Sequence, residues 1–186
     1  MLKHLQQQTI GFHLHGVTMM ENLVALLILS VGLLGLAGLQ AATLRGSHDA
    51  SLRSIAVQQA SNMANRIRAN TQGVINGDYN NISSSAPSLI EDCDINSCNA
   101  TELATFDANK WNTINNSLLP GGGGTVVGTP LNTAPNIVAI PPGMPTPTEF
   151  TITVRWDAYR NGATGLGCDP SDTNDLQCIV LQVVAP

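Results

Sequence analysis

The sequence predicts an α+β fold in which a long N-terminal helix, one half apolar and one half amphipathic, precedes a small antiparallel sheet. Residues 22–44 contain no charged residue, and the apolar positions then keep a helical spacing to about residue 70. The rest of the chain is rich in Asn, Thr, Ser, Gly and Pro. It contains the alternating segment "FTITVRW" at 150–156, which is typical of a half-buried strand.

Length and charge limit what the chain can be. The 186 residues suffice for one modest domain and an appendage. The net charge is −5, so nothing in the charge indicates a nucleic-acid surface, and we expect no direct binding to nucleic acid.

Residues 17–44 form a predicted transmembrane helix. At 1.5 Å per residue, the stretch from Asn22 to Leu44 would be about 35 Å long, enough to cross the hydrocarbon core of a bilayer. Two plainer interpretations are a buried helix of a soluble protein and a secretory signal peptide. The apolar core of a signal peptide is about 7–15 residues long. Here the run is longer and continues into a helical pattern, which favours the membrane helix.

Residues 45–72 form a predicted amphipathic helix that continues the membrane segment to about Asn70 and leads into a head domain at 73–186. Arg53, Arg66 and Arg68 fall on other faces than the apolar stripe. The positions of that stripe are Leu44, Leu52, Ile55, Ala56, Met63 and Ile67.

Three glycines recur at intervals of three within the membrane segment, at Gly32, Gly35 and Gly38. Each costs about 1 kcal/mol relative to Ala inside a helix. Small residues in membrane helices usually mark close helix packing. The alternative is a weak stretch that can unwind.

Glu21 is an isolated acid at the front edge of the apolar run. A carboxylate costs a few kcal/mol at the centre of a membrane and less near its edge. If the chain were cut between Gly16 and Val17, Glu21 would be the fifth residue and the new α-amine would be a cation. We expect the amine of a neighbouring subunit to pair with Glu21. The plainer alternative is an acid at headgroup level that needs no partner.

The head contains a second predicted helix, which ends at Pro120 and the glycines 121–124. Its apolar arc consists of Leu103, Phe106, Trp111, Ile114 and Leu118. A phosphate-binding role for "GGGG" is disfavoured, because the glycines follow a helix and no Lys-Ser or Lys-Thr comes after them.

Strands follow in the second half of the chain. Phe150, Ile152, Val154 and Trp156 alternate with polar residues. A terminal strand over Ile179, Leu181 and Val183 alternates less cleanly, and residues 137–140 are a candidate edge strand. Prolines between residues 120 and 147 favour loops there.

The four cysteines all lie in the predicted head. A domain exported across the inner membrane meets an oxidising space, where disulfides are the default. Three connectivities are possible. We favour Cys93–Cys98 and Cys168–Cys178, because both pairs close short polar loops. Zinc is disfavoured by the absence of a CxxC pair, and the acids of "DPSDTND" lack the glycine and terminal Glu of an EF-hand, so we expect no metal.

Motifs for catalysis are missing from the sequence. It contains no GxSxG and no HExxH, and no nucleophile is evidently paired with a histidine. We therefore expect a protein that is not an enzyme and holds no cofactor.

Residues 1–16 contain one Lys, three His and no acid, and end in Gly16. Val17 and, four residues later, Glu21 precede the apolar run. This arrangement resembles the class III leader of type IV pilins and pseudopilins, with Val17 where Phe is usual. The resemblance implies that a prepilin peptidase cleaves off leader 1–16 between Gly16 and Val17 and methylates the amine of Val17. A cut after Gly11 would place no acid at the fifth position.

Four segments of the chain are similar to minor pilins of the type IV pilus modification protein PilV family, whereas Asn76–Ala100 and Gly128–Pro147 show no such similarity. The similar segments are "LVALLILSVGLLGLAGLQ", "WNTINNSLLPGGGGTV", "FTITVRWDAYRNG" and "GCDPSDTNDLQCIVLQVV". The resemblance implies the type IV pilin fold and a strand after the Leu-Pro-Gly-Gly turn.

The resemblance also implies a minor pilin that primes or joins a type IV pilus, supporting pilus biogenesis, twitching motility and adhesion. The implied partners are the prepilin peptidase, other minor pilins and the major pilin. The chain would cross the inner membrane once, with its head in the periplasm, and then move to the filament at the cell surface. Two alternatives are a pseudopilin of type II secretion and a pilus-tip adhesin that acts as a binding module.

Overall fold

The computed structural model describes residues 18–131 and 145–186. Its helices are α1 (Met19–Ala69), α2 (Thr71–Asn76) and α3 (Ala100–Leu118), and its strands are β1 (Asn81–Ile82), β2 (Gly123–Pro130), β3 (Thr148–Trp156) and β4 (Gln177–Ala185). The predicted α+β class is confirmed. The proposed strand at 137–140 lies outside the described residues.

Contacts divide the chain into two units, Met1–Gly46 and Ser47–Pro186. The first unit is described from Thr18 and consists of the N-terminal part of α1. All its described residues are exposed. The apolar side chains of this unit join no core formed by the described residues.

The second unit contains the rest of α1, which presents one buried face. Ile55 is partly buried, whereas Leu44 is 71% exposed. The predicted stripe is therefore confirmed from Leu52 onwards, and Leu44 belongs with the exposed apolar segment. The buried positions are Leu52, Ala56, Gln59, Ala60, Met63, Ala64 and Ile67.

Helix α3 is present where the apolar arc predicts it, but its buried face is rotated. Leu118 is 48% exposed, whereas Asn112 and Asn115 are buried. The helix begins with a complete capping box, in which the Asn99 side chain accepts from the backbone of Glu102 and the Glu102 carboxylate accepts from the Asn99 N–H. Asp107 and Asn112 can face the core because their side chains are hydrogen-bonded there, whereas the buried side-chain atoms of Asn115 have no hydrogen-bond partner among the described residues.

The strands form one antiparallel sheet in the order β1-β2-β3-β4. Phe150, Ile152, Val154 and Trp156 are all buried, as their alternation predicts. Val126 of β2 lies opposite Ile152, which in turn lies opposite Leu181 of β4. This register aligns the apolar residues on one face, called here the inner face of the sheet.

One hydrophobic core joins the inner face to α1 and α3. Gly124 allows the closest contact, since a Cβ there would lie 2.2 Å from the indole of Trp111. The disulfides Cys93–Cys98 and Cys168–Cys178 close two loops of this unit. The predicted disulfide-closed loops of the head are thus part of the fold.

Candidate functional site

The first described turn of α1 carries Glu21. The Glu21 backbone N–H lies 3.4 Å from Thr18 Oγ1 and 3.0 Å from the Thr18 carbonyl oxygen, so Thr18 is placed as a helix N-cap. An acid in the first turn also interacts favourably with the helix dipole. None of the described residues donates a hydrogen bond to the Glu21 carboxylate or forms an ion pair with it. Gly16 and Val17 lie outside the described residues.

The segment after Glu21 is apolar and exposed on every side. Of the described helices, α1 has a stretch long and apolar enough to cross a membrane, by length and composition only. A Cβ added at Gly32, Gly35 or Gly38 would meet nothing within 4 Å. These glycines therefore have no packing role against the described residues, and their open surroundings leave room for a helix of another molecule.

A buried polar network joins the end of α1 to α3. Arg66 Nη1 lies 2.6 Å from Asp107 Oδ1, with side chains 28% and 7% exposed. Tyr79 donates its hydroxyl proton to Asp107 Oδ2 at 2.7 Å. Asn70 Nδ2 donates to the Tyr79 hydroxyl oxygen at 3.1 Å and to the Ala100 carbonyl at 2.7 Å.

The surroundings of Tyr79 keep its phenol protonated. Burial raises the pKa of Tyr79 well above its ordinary range, and the hydrogen bond to Asp107 raises it further. The phenol therefore stays protonated as a donor, and the Asp107 carboxylate accepts from both Tyr79 and Arg66. No group of this network is free to act as a nucleophile or base, so the network links α1 to α3 structurally and is not a catalytic site.

Two further hydrogen bonds hold α3 in place. Trp111 Nε1 donates to the Gln59 carbonyl of α1 at 2.9 Å. Asn112 Oδ1 accepts from the Gly124 N–H at 2.7 Å, while Asn112 Nδ2 donates to the Ser83 carbonyl at 2.9 Å. Together with the network, these bonds tie the C-terminal part of α1 to the sheet through α3.

The acids of the Cys168–Cys178 loop are used in local turns. Asp169 Oδ1 accepts from the Ser171 N–H at 2.8 Å and from its hydroxyl at 2.6 Å, and these bonds lower the pKa of Asp169. Asp172 Oδ1 accepts from the Asn174 N–H at 2.8 Å. In the described part of the chain, no three His, Cys, Asp or Glu residues form a group that could hold a metal ion.

Sequence reasoning placed Glu21 at the start of the apolar helix but missed both its cap and the polar network. The spacing Thr-x-x-Glu over residues 18–21 is a capping-box pattern and was a readable signal. The pairing of Arg66 with Asp107 spans 41 residues, and no local pattern indicates it.

One comparison with known proteins finds a related family. Residues 38–109 match the family model Tt1218-like, described as type IV pilin Tt1218. This stretch includes the second part of α1 and the first half of α3. No curated protein and no solved structure matches the chain significantly.

The matched family is structural, which supports a role in assembly rather than in catalysis. The long N-terminal helix, the small antiparallel sheet and the two disulfides are consistent with the α+β fold of such proteins. An exposed apolar helix fits anchoring in a membrane before incorporation into a filament. The match over residues 38–109 and this fold together support a type IV pilin.

Proposed function

We propose that the protein is a minor pilin of the PilV type, which joins or primes a type IV pilus and supports twitching motility and adhesion. The observation that carries the proposal is the fully exposed apolar part of α1. The same helix continues into the head, where one of its faces is buried. A segment of this kind is stable in a lipid bilayer or among copies of the same helix, and in water it is not.

In this proposal the prepilin peptidase cuts between Gly16 and Val17 and methylates the new amine. The protein first crosses the inner membrane once, with the head in the periplasm. It then moves into the filament, where α1 packs against other minor pilins and the major pilin. The helix exchanges lipid contacts for protein contacts of similar polarity. The free energy of this transfer is therefore close to zero, so an external motor can drive it.

Glu21 pairs with the amine of a neighbouring subunit in the assembled filament. The Glu21 carboxylate is exposed and has no partner among the described residues. Its favourable interaction with the helix dipole depends only on its charge, so the carboxylate oxygens remain able to accept hydrogen bonds from another subunit. Pairing across subunits fixes the axial position of one helix against the next. An acid placed at the membrane edge costs less than one at the centre.

Mass and N-terminal sequence of the protein from sheared surface filaments and from membranes test the proposal. We expect a chain that starts at methylated Val17, is present in the filaments and is about 4 Da lighter than its reduced form, since each disulfide removes two hydrogen atoms. An uncut chain found only in membranes would mean that residues 1–46 are an ordinary anchor. A cut chain absent from surface filaments would favour a type II secretion pseudopilin.

Glu21→Gln tests the pairing itself. We expect normal membrane insertion and cleavage but a large drop in the amount recovered from filaments, because the neutral amide cannot attract the amine. Asp49→Asn is the matched control, since it removes an exposed acid from the same helix outside the apolar segment. Filament levels that fall equally in both variants, or in neither, would contradict the role of Glu21.

A further inference from the structure

A cavity of about 250 Å³ opens at one end of the sheet, beside the C-terminal turn of α3. It lies where β2 begins and β3 ends, beside the loop that the disulfide Cys168–Cys178 closes. Its side-chain walls are Arg155, Thr125, Ser84, Asn116, Leu166 and Leu176, and the backbone of residues 121–123 completes it.

Arg155 supplies the charge of this cavity and has no anionic partner. Its Nη1 donates to Thr125 Oγ1 at 3.1 Å, while its Nε is buried with no hydrogen-bond partner. Every acidic residue of the sequence lies within the described residues, and none of them is within 4 Å of Arg155. A cation partly removed from water without a counter-charge is costly to keep, which favours binding of an anion.

The register of the sheet leaves room beside the guanidinium. Arg155 lies directly opposite Gly123, which has no side chain. A Cβ at Gly123 would lie 3.1 Å from Ser84 Cβ, so any larger residue there would occupy the space. The apolar side of the cavity is formed by Leu166, which is 67% exposed, and by Leu176.

We propose that this cavity binds an organic carboxylate that carries an apolar group. Thr125 holds Nη1 and Nε is shielded from solvent, so Nη2 is the guanidinium donor that a carboxylate oxygen can reach, in a charge-assisted hydrogen bond. The apolar group lies against Leu166 and Leu176. A single cation in a chain of net charge −5 favours a monovalent anion over a polyanion. This site is independent of pilus assembly, and its failure would leave the proposed function untouched.

The experiment follows the arginine Nε–Hε resonances of the full chain in detergent micelles, labelled with ¹⁵N-arginine. The probe is benzoate, with benzamide as its neutral counterpart and inorganic phosphate as the polyanion. Arg155→Gln identifies the Arg155 signal by its disappearance and removes the charge. Arg53→Gln, which changes an exposed arginine of α1, is the matched control. Circular dichroism melts of each variant establish that it is folded.

We expect benzoate to shift the Arg155 signal saturably and benzamide to leave it in place. Benzoate binding to the variants is followed through the ring-proton resonances of benzoate itself. It should weaken at least about tenfold in Arg155→Gln, as loss of charged hydrogen bonds predicts, and should be unchanged in Arg53→Gln. Leu166→Ala, at an exposed position, should weaken binding by roughly threefold through lost apolar contact. The proposal is overturned if benzoate leaves the Arg155 signal in place, if benzamide shifts it equally, or if phosphate binds as tightly as benzoate.

Discussion

Individual buried polar residues hold the head together. Asp107 accepts hydrogen bonds from Arg66 and Tyr79 in a site that water barely reaches. Removing one member of such a set leaves the others buried with unmet hydrogen bonds, which costs more than the set contributes when complete. The hydrogen bonds of these residues are therefore energetically coupled, and the loss of one weakens the stabilising effect of the others.

Replacing Asp107 by Asn should lower the free energy of unfolding by roughly 2–4 kcal/mol, because Arg66 loses its counter-charge and Tyr79 loses a charged acceptor. Chemical denaturation of the two proteins measures the difference. Asp94→Asn is the control, since Asp94 pairs with Lys110 at 2.9 Å on the surface. Exposed pairs contribute little, so equal losses in both variants would argue against the network.

Asp157 links stability to acidity at the end of β3. The residue is buried, which alone raises its pKa, but backbone N–H groups of the following loop lower the pKa by more. The Gly162 N–H donates to Asp157 Oδ2 at 2.8 Å and the Asn161 N–H to Oδ1 at 3.4 Å. An Asp carboxyl in the unfolded chain has a pKa of about 4. Because the pKa of Asp157 is lower in the folded protein, its carboxylate stabilises the fold above that pH, and this stabilisation is lost as the pH falls through the lowered pKa.

The variant Asp157→Asn should therefore melt at a lower temperature than the natural protein at pH 7, and the gap should shrink towards pH 2. Thermal melts across this range measure the gap. Asp49→Asn, at an exposed position of α1, should show no such pH-dependent gap. A difference in melting temperature that stays constant with pH would mean that the Asn amide packs or hydrogen-bonds less well than the carboxyl, independently of its charge.

At the scale of elements, α1 is one helix with two environments. Its residues up to Ser51 are exposed, whereas one face from Leu52 onwards is buried in the head. The backbone is helical throughout, and the difference between the two parts of α1 lies in their side chains: the first part is apolar on every side over residues 22–44, and the second is amphipathic. The small residues of the first part matter only where another helix approaches.

Gly35→Leu should leave the melting temperature of the head unchanged and reduce incorporation into filaments, because the new side chain keeps a neighbouring helix away. Gly35→Ala separates close packing from unwinding. If packing is the role, Ala is tolerated, and if unwinding is the role, Ala is harmful too. Ala37→Leu adds bulk on another face of the same helix and is the control. Filament yield from sheared cells gives the readout.

At the scale of the whole molecule, the core defines what can fold alone. Among the residues that the structure describes, the core lies between Leu52 and Ala185, and several of its members come from α1. The described core thus lies within the unit Ser47–Pro186. A head that began at residue 73 would lose the helix face formed by Leu52, Met63 and Ile67.

A fragment of residues 47–186 should fold in water with a cooperative thermal transition once both disulfides are formed. A fragment of residues 73–186 should show no such transition, because it lacks the α1 face of the core. Circular dichroism melts of both fragments test this. Cooperative unfolding of the shorter fragment would show that α1 is dispensable for the head.

The sequence by itself determined the α+β class, the continuous N-terminal helix and the central strand. These features depend on local periodicity, in which apolar residues recur every 3.6 positions in a helix and every two in a strand. Helix α3 was equally readable from its apolar arc and from the Pro-Gly stop that follows, whereas the capping box of Asn99 and Glu102 emerged only from the structure.

Only the tertiary structure decided which polar residues are buried. Asp107 and Asn112 lie on the core side of α3 because distant partners satisfy them, while Leu118 faces solvent. The two-residue strand β1 forms only because its neighbour β2 pairs with it. The Arg155 cavity likewise depends on the register of β2 against β3. Such contacts join residues far apart along the chain, and no local pattern of residues encodes them.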